Sequence, residues 1–504
     1  MKIIKTVSDL QLIKKIKKSN KKIVLCHGVF DLVHIGHINY FKEAKKLGDI
    51  LIVSVTNDKF VNKGPGRPSF TLSQRLDFLE QLQIIDFIIV SNYPTATNVI
   101  KKVKPNIYCK GLDYKKKLHS DKNLKEEIKY VNLVKGKVKF LETKLYSSSE
   151  IINKNYLNNF DDKIQTYINL IKKKIQPEKI DEIFNLCLKS KVLNLGELII
   201  DEYVFTETIG TSGKEATNIV KPIRKVKFIG GSGYISNLLT SFVSSISLLT
   251  FIGTDKKEVG FIKKKLFKKV KKNFLAKKNS TIIKKRYIDH YSHRRMIGVY
   301  RVDQKQILKN EENRFIKKYN NIKKKFDTII VSDFGHEEIT KKIIQNFSKT
   351  KNKIFLNCQI NAFSRDTYSI FKYKKVNTLI VNETELRNEL KDKFSRIETL
   401  IKESLKYFKF NNIIVTQGKN GGTGYICKNK KFFYYPAFNT NPVDTIGAGD
   451  TFFAITSLLL SKKIDPEVSS FFGNLAAFVA TSSMGNESVV SLDDIKKLSY
   501  HILK

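Results

Sequence analysis

Ile23-Val24-Leu25-Cys26-His27-Gly28-Val29-Phe30-Asp31-Leu32-Val33-His34-Ile35-Gly36-His37 decides the fold of the first part of this chain. Four apolar residues make a short buried strand, a glycine-containing loop follows, and the hydrophobic period then turns helical. Strand, tight loop and helix start form the repeating unit of a parallel α/β sheet. Ligands gather there at the carboxyl ends of strands, where helix N-termini present N–H groups. His34 and His37 fall on the first turn of that helix, and their i, i+3 spacing sets both imidazoles on one face. With the helix dipole behind them they suit a polyphosphate, stabilising charge that develops on its α-phosphate without a covalent intermediate.

Outward from this stretch, residues to about Ile151 alternate in period. Ile38–Leu47 reads as a helix, Ile50–Val55 as a strand, Leu72–Gln83 as a helix, Phe87–Val90 as a strand, Thr97–Val103 as a helix and Ile107–Cys109 as a strand. Short Val/Ile-rich strands between amphipathic helices predict a doubly wound parallel sheet covered on both faces. The first twenty residues read as an additional Lys-rich amphipathic helix. Asn153 to Ser190 is helical in period but polar, with Pro177 in its middle, and reads as a connector. Val192–Leu195 opens a second alternating region, with strands at Leu198–Ile200, Ser247–Phe251, Thr328–Val331, Lys353–Leu356, Thr378–Val381 and Asn412–Thr416. The stretch from Asp201 to Gly230 is rich in Thr, Gly and alternating apolar residues, which predicts a small β excursion. The expected organisation is a domain over 1–152, a helical connector over 153–190 and a second domain over 191–504.

The 504 residues suffice for two or three domains, and 41% hydrophobic content lets each bury a core. A net charge of +44 ordinarily points to nucleic acid. Here the charge is almost all Lys, spread along the whole chain beside abundant Asn and Ile, with no Trp and little Arg. Base reading and phosphate forks favour Arg, so the charge reads as compositional bias and no specific nucleic-acid partner is expected. Five cysteines lie scattered in apolar runs without CxxC spacing, which predicts buried thiols in a reducing compartment. No apolar run reaches membrane-spanning length and the N-terminus lacks a signal-peptide pattern, so a soluble, cytoplasmic protein without a membrane partner is expected.

A second chemistry-bearing stretch is Asn441-Pro442-Val443-Asp444-Thr445-Ile446-Gly447-Ala448-Gly449-Asp450-Thr451, leading into the apolar helix-like Phe452–Leu460. Successive amides of Gly447, Ala448 and Gly449 form an anion nest. Asp450 stands at the helix start, where a carboxylate can take a proton from a hydroxyl attacking the γ-phosphate of ATP.

On these residues, Lys22 to Ile152 resembles the HxGH nucleotidyltransferases, the cytidylyltransferase-like group. Lys63-Gly64-Pro65-Gly66-Arg67-Pro68, Arg75 and Lys110-Gly111-Leu112-Asp113-Tyr114 look most like the adenylyltransferase half of bacterial ADP-heptose synthases. The resemblance implies that Gly28, Phe30, His34 and His37 meet the nucleotide and its phosphates. It implies too that Lys63 and Arg75 neutralise phosphate, and that Gly111 and Asp113 hold the nucleotide. Tyr146-Ser147-Ser148-Ser149 is similar to the family's closing Tyr-Ser-Thr-Thr loop, whose hydroxyls meet phosphate at a helix start. Glu142 stands where the cytidylyltransferase branch carries Arg, which favours the ADP-heptose-like branch.

The region around Val443–Phe453 resembles the signature of the PfkB/ribokinase sugar kinases, and other segments agree in order. Asp201, after Gly196-Glu197-Leu198-Ile199-Ile200, matches the family's ligand for sugar hydroxyls, and Gly230-Gly231 matches its glycine pair. Asn382-Glu383-Thr384-Glu385 matches the NxxE motif linked to Mg²⁺ and phosphate. Thr416, Gly418 and Gly421 match the nucleotide loop, Asn474 borders the adenine, and Glu202–Ile229 would be the β lid. Arg301-Val302-Asp303 fits the heptose kinases, whereas Tyr234 replaces an Asn and His336 a Lys of their pattern, and the domain order is reversed. Tyr291-Ser292-His293-Arg294-Arg295 reads equally as a site for a substrate phosphate and as a solvated turn.

Together the resemblances imply an α/β chain with a Rossmann-like nucleotidyltransferase domain followed by a ribokinase-like domain. The implied activity is that of a bifunctional sugar kinase and sugar-1-phosphate nucleotidyltransferase. It would use ATP, ATP or CTP at the transferase site, a sugar phosphate and Mg²⁺. The alternative is a CTP-dependent cytidylyltransferase for an alcohol phosphate, fused to a kinase of different or lost activity. A homodimer is compatible with either.

Overall fold

A computed structural model describes residues 3–4, 20–61, 68–112, 114, 122–141, 161–303, 306–348, 353–361, 364, 368–438, 442, 444–482, 484–485 and 489–503. Lys63, Asp113, Glu142 and Tyr146–Ser149 lie outside the described residues. The chain divides into two compact units, Met1–Asn159 and Phe160–Lys504.

The first unit carries six strands: β1 (Ile3–Ile4), β2 (Ile23–Gly28), β3 (Ile50–Thr56), β4 (Phe87–Ser91), β5 (Ile107–Gly111) and β6 (Lys137–Leu141). They pair in the order β1-β4-β3-β2-β5-β6, all parallel. Alternation in β2 explains the two layers. Ile23 and Leu25 pack on Val99, Ile100 and Val131, while Val24 and Cys26 pack on Phe41, Ala44 and Leu79. From β2 the chain moves outward through β3 and β4, then returns to β5 on β2's other side. That reversal opens a crevice at the carboxyl end of β2, where His27 and Gly28 stand. Ile3 and Ile4 pair with β4 and do not open the expected N-terminal helix; residues 5–19 lie outside the described set.

The second unit carries β7 (Lys191–Gly196), β8 (Leu198–Thr211), β9 (Asn218–Gly230), β10 (Ser245–Ile252), β11 (Val270–Ala276), β12 (Ile282–Asp289), β13 (Arg295–Arg301), β14 (Thr328–Asp333), β15 (Lys353–Cys358), β16 (Thr378–Asn382), β17 (Asn412–Thr416), β18 (Gly422–Ile426) and β19 (Lys431–Tyr435). Nine of these form one sheet in the order β11-β10-β7-β14-β15-β16-β17-β18-β19, in which β18 alone runs antiparallel to its neighbours. The other four form a separate sheet, β13-β12-β8-β9, which is the lid.

Two expectations change here. Leu198–Ile200 begins the lid strand β8, and the first strand of the main sheet is β7. The lid also recruits β12 and β13 from much later in the chain, because β8 pairs in parallel with β12. Residues 161–190, read as a connector, are part of the second unit. The helix Asp162–Lys174 sets Tyr167 against Phe438, and the helix Lys179–Leu188 sets Phe184 edge-on to Phe472 at 5.1 Å. The apolar stripe of each helix is buried although its remaining faces are polar. Cys26, Cys109, Cys187 and Cys358 are buried free thiols and Cys427 is half-buried. Among the described residues no helix is long and apolar enough to cross a membrane.

Candidate active sites

In the first unit the helix Ile35–Lys45 begins with a reciprocal cap made by the two histidines. Nδ1 of His34 accepts from the Gly36 amide at 3.1 Å, and Nδ1 of His37 takes the His34 amide at 3.4 Å. With both Nδ1 atoms accepting, the neutral rings carry their protons on Nε2. Their centroids lie 4.1 Å apart, so two N–H donors work from one helix end. Burial lowers the pKa of His34 and favours that neutral state. Phe30 adopts a left-handed backbone at φ 50°, and its buried ring stands edge-on to His37 at 5.6 Å. Gly28 and Gly111 end the adjacent strands β2 and β5.

Arg75 plays another part than the expected one. Its guanidinium is buried and engaged with protein: Nη2 reaches Thr56 O at 2.9 Å and Asp58 at 2.5 Å, Nε reaches Phe70 O at 3.1 Å, and Nη1 bonds Val29 O. It holds the underside of the Gly28–Asp31 loop in shape and is not placed to neutralise phosphate. Lys110 is also buried, paired with Glu127 at 2.9 Å. Glu127 accepts in addition from Tyr108 and the Ala96 amide. Burial, and then the Lys110 charge, hold His27 near pKa 4, so it stands neutral with Nδ1 3.0 Å from Ser54 Oγ.

In the second unit Gly447 enters the helix Ala448–Ser461 at φ 81°, and no side chain caps it. No side chain therefore competes for the first-turn amides, of which that of Ala448 donates to Thr445 O at 3.3 Å. Asp450 sits in that turn, and Gln359 Nε2 donates to its Oδ1 at 3.4 Å. Burial, and then the charge of Asp201, lift its pKa to about 7, against an opposing pull from Lys284. At the head of a helix the dipole favours the ionised form of a carboxylate near neutral pH. Desolvation outweighs the dipole here, so the group changes charge near pH 7.

Asp201 on β8 is buried and bonded to Arg286 of β12 at 2.5 Å. A side chain on Gly230 would strike the Asp201 carboxylate, and Gly231 turns at φ 56°. The pair thus lets backbone and carboxylate meet. Asn382 and Glu385 form a capping box on the helix Glu383–Leu390: Asn382 Oδ1 takes the Thr384 amide at 2.9 Å, and Glu385 Oε2 the Asn382 amide at 2.8 Å. Burial raises Glu385 to about 8. Thr416 ends β17, and Gly418 and Gly421, both with positive φ, bracket the following turn. Asn474 Nδ2 donates to Pro436 O at 2.7 Å, which fixes the chain after β19. Tyr234 meets Thr451 Oγ1 at 2.9 Å, one residue beyond Asp450.

Glu197, Lys284 and Arg286, to which sequence reasoning gave no role, join His336 and the Tyr291–Arg295 turn around this site. Glu197 is fully buried and takes the amides of Phe334 at 2.9 Å and His336 at 3.0 Å, shaping the loop after β14. Burial, and then Lys284 and Lys277, hold His336 near pKa 3. The turn Tyr291–Arg295 links lid strands β12 and β13, and its Arg295 pairs with Asp444. Lys284 and Arg286 belong to the cationic run Lys284-Lys285-Arg286 inside an otherwise apolar strand, and their i, i+2 spacing sets both on one face.

Sequence models agree with this geometry. Residues 25–154 match the cytidylyltransferase-like model. Residues 189–491, more than half of the chain, match the model of the pfkB family carbohydrate kinases. The chain belongs to the pfkB carbohydrate kinases. Both matches are to transferase families, and in this pfkB member the transferase-like domain comes first. Its N-terminal domain is 35% identical over 150 residues to the bifunctional protein HldE of Campylobacter fetus, covering 29% of the chain and 31% of the relative. The HldE of Nitratiruptor is 38% identical over 137 residues, covering 27% and 30%. The chain thus spans about a third of the length of the curated relatives it matches. Phosphofructokinase-2 of Escherichia coli in complex with potassium superposes with a TM-score of 0.50 at 15% identity, covering 62% of this chain and all of that one. A mutant of the same enzyme gives 0.51 at 14% identity with the same coverage. These likenesses establish the ribokinase-like fold of the second unit.

Proposed function

We propose that the chain is a bifunctional enzyme of activated-sugar synthesis. The second unit would move the γ-phosphoryl of ATP to the anomeric hydroxyl of a sugar or sugar phosphate. The new O–P bond forms as the bond to ADP breaks, and Asp450 takes the hydroxyl proton. The first unit would then let the sugar 1-phosphate attack the α-phosphate of a nucleoside triphosphate, releasing pyrophosphate, with His34 and His37 donating to the developing charge. The observation that carries the reading is Asp450, a carboxylate with pKa about 7 at the head of an uncapped helix and within the field of Asp201. Base, anion cradle and sugar-facing carboxylate then share one site.

A heptose of the D-glycero-D-manno type, activated as its ADP derivative, is the favoured product. Supports are the HldE likeness of the first unit and Glu142 in place of the cytidylyltransferase Arg. The NxxE resemblance would link Glu385 to Mg²⁺ indirectly, and a cation nearby would favour the ionised form of this burial-raised carboxyl. Mg²⁺ would neutralise phosphate charge in both steps. Tyr234 favours the second reading in one respect, since it removes the Asn expected to meet a heptose and points to a different acceptor. The lid exposes Ile209, Ile219, Ile297 and Val299, an apolar surface suited to a second copy of the chain; sedimentation would show the homodimer.

The test is to mix purified protein with Mg²⁺, ATP or CTP and candidate heptose phosphates, and to follow pyrophosphate and nucleotide sugar. Pyrophosphate with ATP and heptose phosphate is expected. Nucleotidyl transfer confined to CTP and an alcohol phosphate would replace this reading with the alternative.

A further inference from the structure

We propose that Lys284 is a catalytic residue of the kinase half, a lid-borne ammonium group whose partner is the phosphoryl group passing from ATP to the acceptor. The inference rests on the kinase reading above and adds to it a cation that none of the sequence motifs supplies.

Strand β12 alternates its cations between two faces of the lid. On one face Lys285 joins Lys225 and Lys227 around the buried Glu202, at 2.8 to 3.3 Å. On the other face Lys284 stands in register with Asp201 of the neighbouring β8, and Arg286 lies two residues on. Arg286 takes Asp201. Elsewhere in the unit Lys277 is paired with Glu338, and Lys372 with Asp333 at 2.7 Å. Lys284 differs: among the described residues it makes no hydrogen bond or ion pair. The Tyr300 ring lies 5.9 Å away, at the margin of cation–π contact.

A second donor in the same neighbourhood also lacks an acceptor. His336 Nδ1 faces the Asn361 side-chain amide at 3.2 Å, and that amide donates to the Phe334 and Gly335 carbonyls, so the imidazole proton belongs on Nε2. That Nε2 is buried with no hydrogen-bond partner. An ammonium and, within its field, an imidazole N–H are held without acceptors, where the fold could have supplied a carboxylate as it does for Lys277. Such a pair costs stability and complements an oxygen-rich anion that arrives with substrate. Burial lowers the pKa of Lys284 while Asp201, Glu197 and Asp450 raise it, so its charge lies within the field of the reacting groups. The uncapped helix end would hold the phosphoryl oxygens from one side and Lys284 from the lid side.

The experiment compares wild type, Lys284→Met and Lys284→Arg in the full chain, with a neutral sugar and its phosphorylated counterpart as acceptors. Lys284→Met should lower kcat by about 10²–10³-fold, the cost typical of losing one charge-stabilising donor. The acceptor KM and the affinity for a non-hydrolysable ATP analogue should stay nearly unchanged, and Lys284→Arg should recover part of the loss. The Met variant should keep wild-type or higher thermal stability, since no protein partner is left behind. A kcat close to wild type overturns the proposal. So does a loss seen purely as raised KM for the phosphorylated acceptor, which would assign Lys284 to a phosphate carried by the sugar. A marked fall in stability overturns it too, by assigning Lys284 a structural role. A wild type that phosphorylates no sugar would sink the kinase reading by itself. The Lys284 contact is then read from stabilisation by inorganic phosphate, where loss in the Met variant supports it and equal stabilisation overturns it.

Discussion

The hydroxyl of Tyr203 donates a 2.9 Å hydrogen bond to Oδ2 of Asp444, joining lid strand β8 to the loop that precedes the anion nest across 241 residues of sequence. The same carboxylate takes the Gly485 amide at 2.9 Å, the Ile446 amide at 3.1 Å and Arg295 of β13. One buried side chain therefore holds two lid strands and the nest in a single arrangement. Asp444→Ala should leave Tyr203 and two amides without their acceptor, each worth about 1–3 kcal/mol when buried. Urea unfolding should show the second unit losing about 3 kcal/mol, with Asp444→Asn milder.

Asp450→Asn separates chemistry from binding. Removing a general base should lower kinase kcat by about 10²–10⁴-fold with little change in sugar KM, because the base acts in the transition state. Nucleotidyl transfer from supplied sugar 1-phosphate should be untouched. Near-normal kinase turnover on the true substrate would refute the assignment.

The pH dependence of Asp450 has a definite sign. Its folded pKa of about 7 lies above the ordinary carboxylate value of 3.8, so between these the folded state holds a proton that the unfolded chain has released. Its contribution to stability is then present at low pH and is lost as pH rises through about 7. Wild-type kinase activity should rise along a limb near pH 7. Asp450→Asn should raise Tm relative to wild type at pH 8 and have little effect at pH 4. A larger gain at pH 4 than at pH 8 would contradict the raised pKa.

Arg75→Ala should act on stability before it acts on nucleotide affinity. Breaking one partner of a buried pair typically costs about 3–5 kcal/mol, and the part-exposed Asp58 places this case toward the lower end. Thermal unfolding of the first unit should drop markedly. A stable variant with a selectively raised KM for nucleoside triphosphate would restore Arg75 to phosphate binding.

His34→Ala should abolish nucleotidyl transfer and leave kinase turnover intact. The lost helix cap costs about 1 kcal/mol, so the variant should stay folded. Loss of both activities in a folded variant would count against separate sites.

DNA binding should be weak, non-specific and steeply dependent on salt if the +44 charge is compositional. Filter binding at physiological salt would test this, and a tight sequence-selective complex would reverse it.

Local sequence determined the parts of this protein that rest on neighbours in the chain. The apolar run Ile23–Cys26 and the glycine loop after it specify β2 and its turn, because period and loop chemistry act within a few residues. The spacing of His34 and His37 places both rings at one helix end for the same reason, and Gly447 presets the left-handed turn into the helix Ala448–Ser461. Tertiary structure alone decided what depends on burial and on distant partners. Arg75 reads as a phosphate ligand until three carbonyls and Asp58 close around it. Asp450 reads as an ionised carboxylate until desolvation and the nearby Asp201 raise its pKa. Lys284 reads as one lysine among many until β12 pairs with β8 and sets it beside Asp201 without a partner. Long-range strand pairing and the loss of water around a charge are properties of the assembled fold, and no window of sequence contains them.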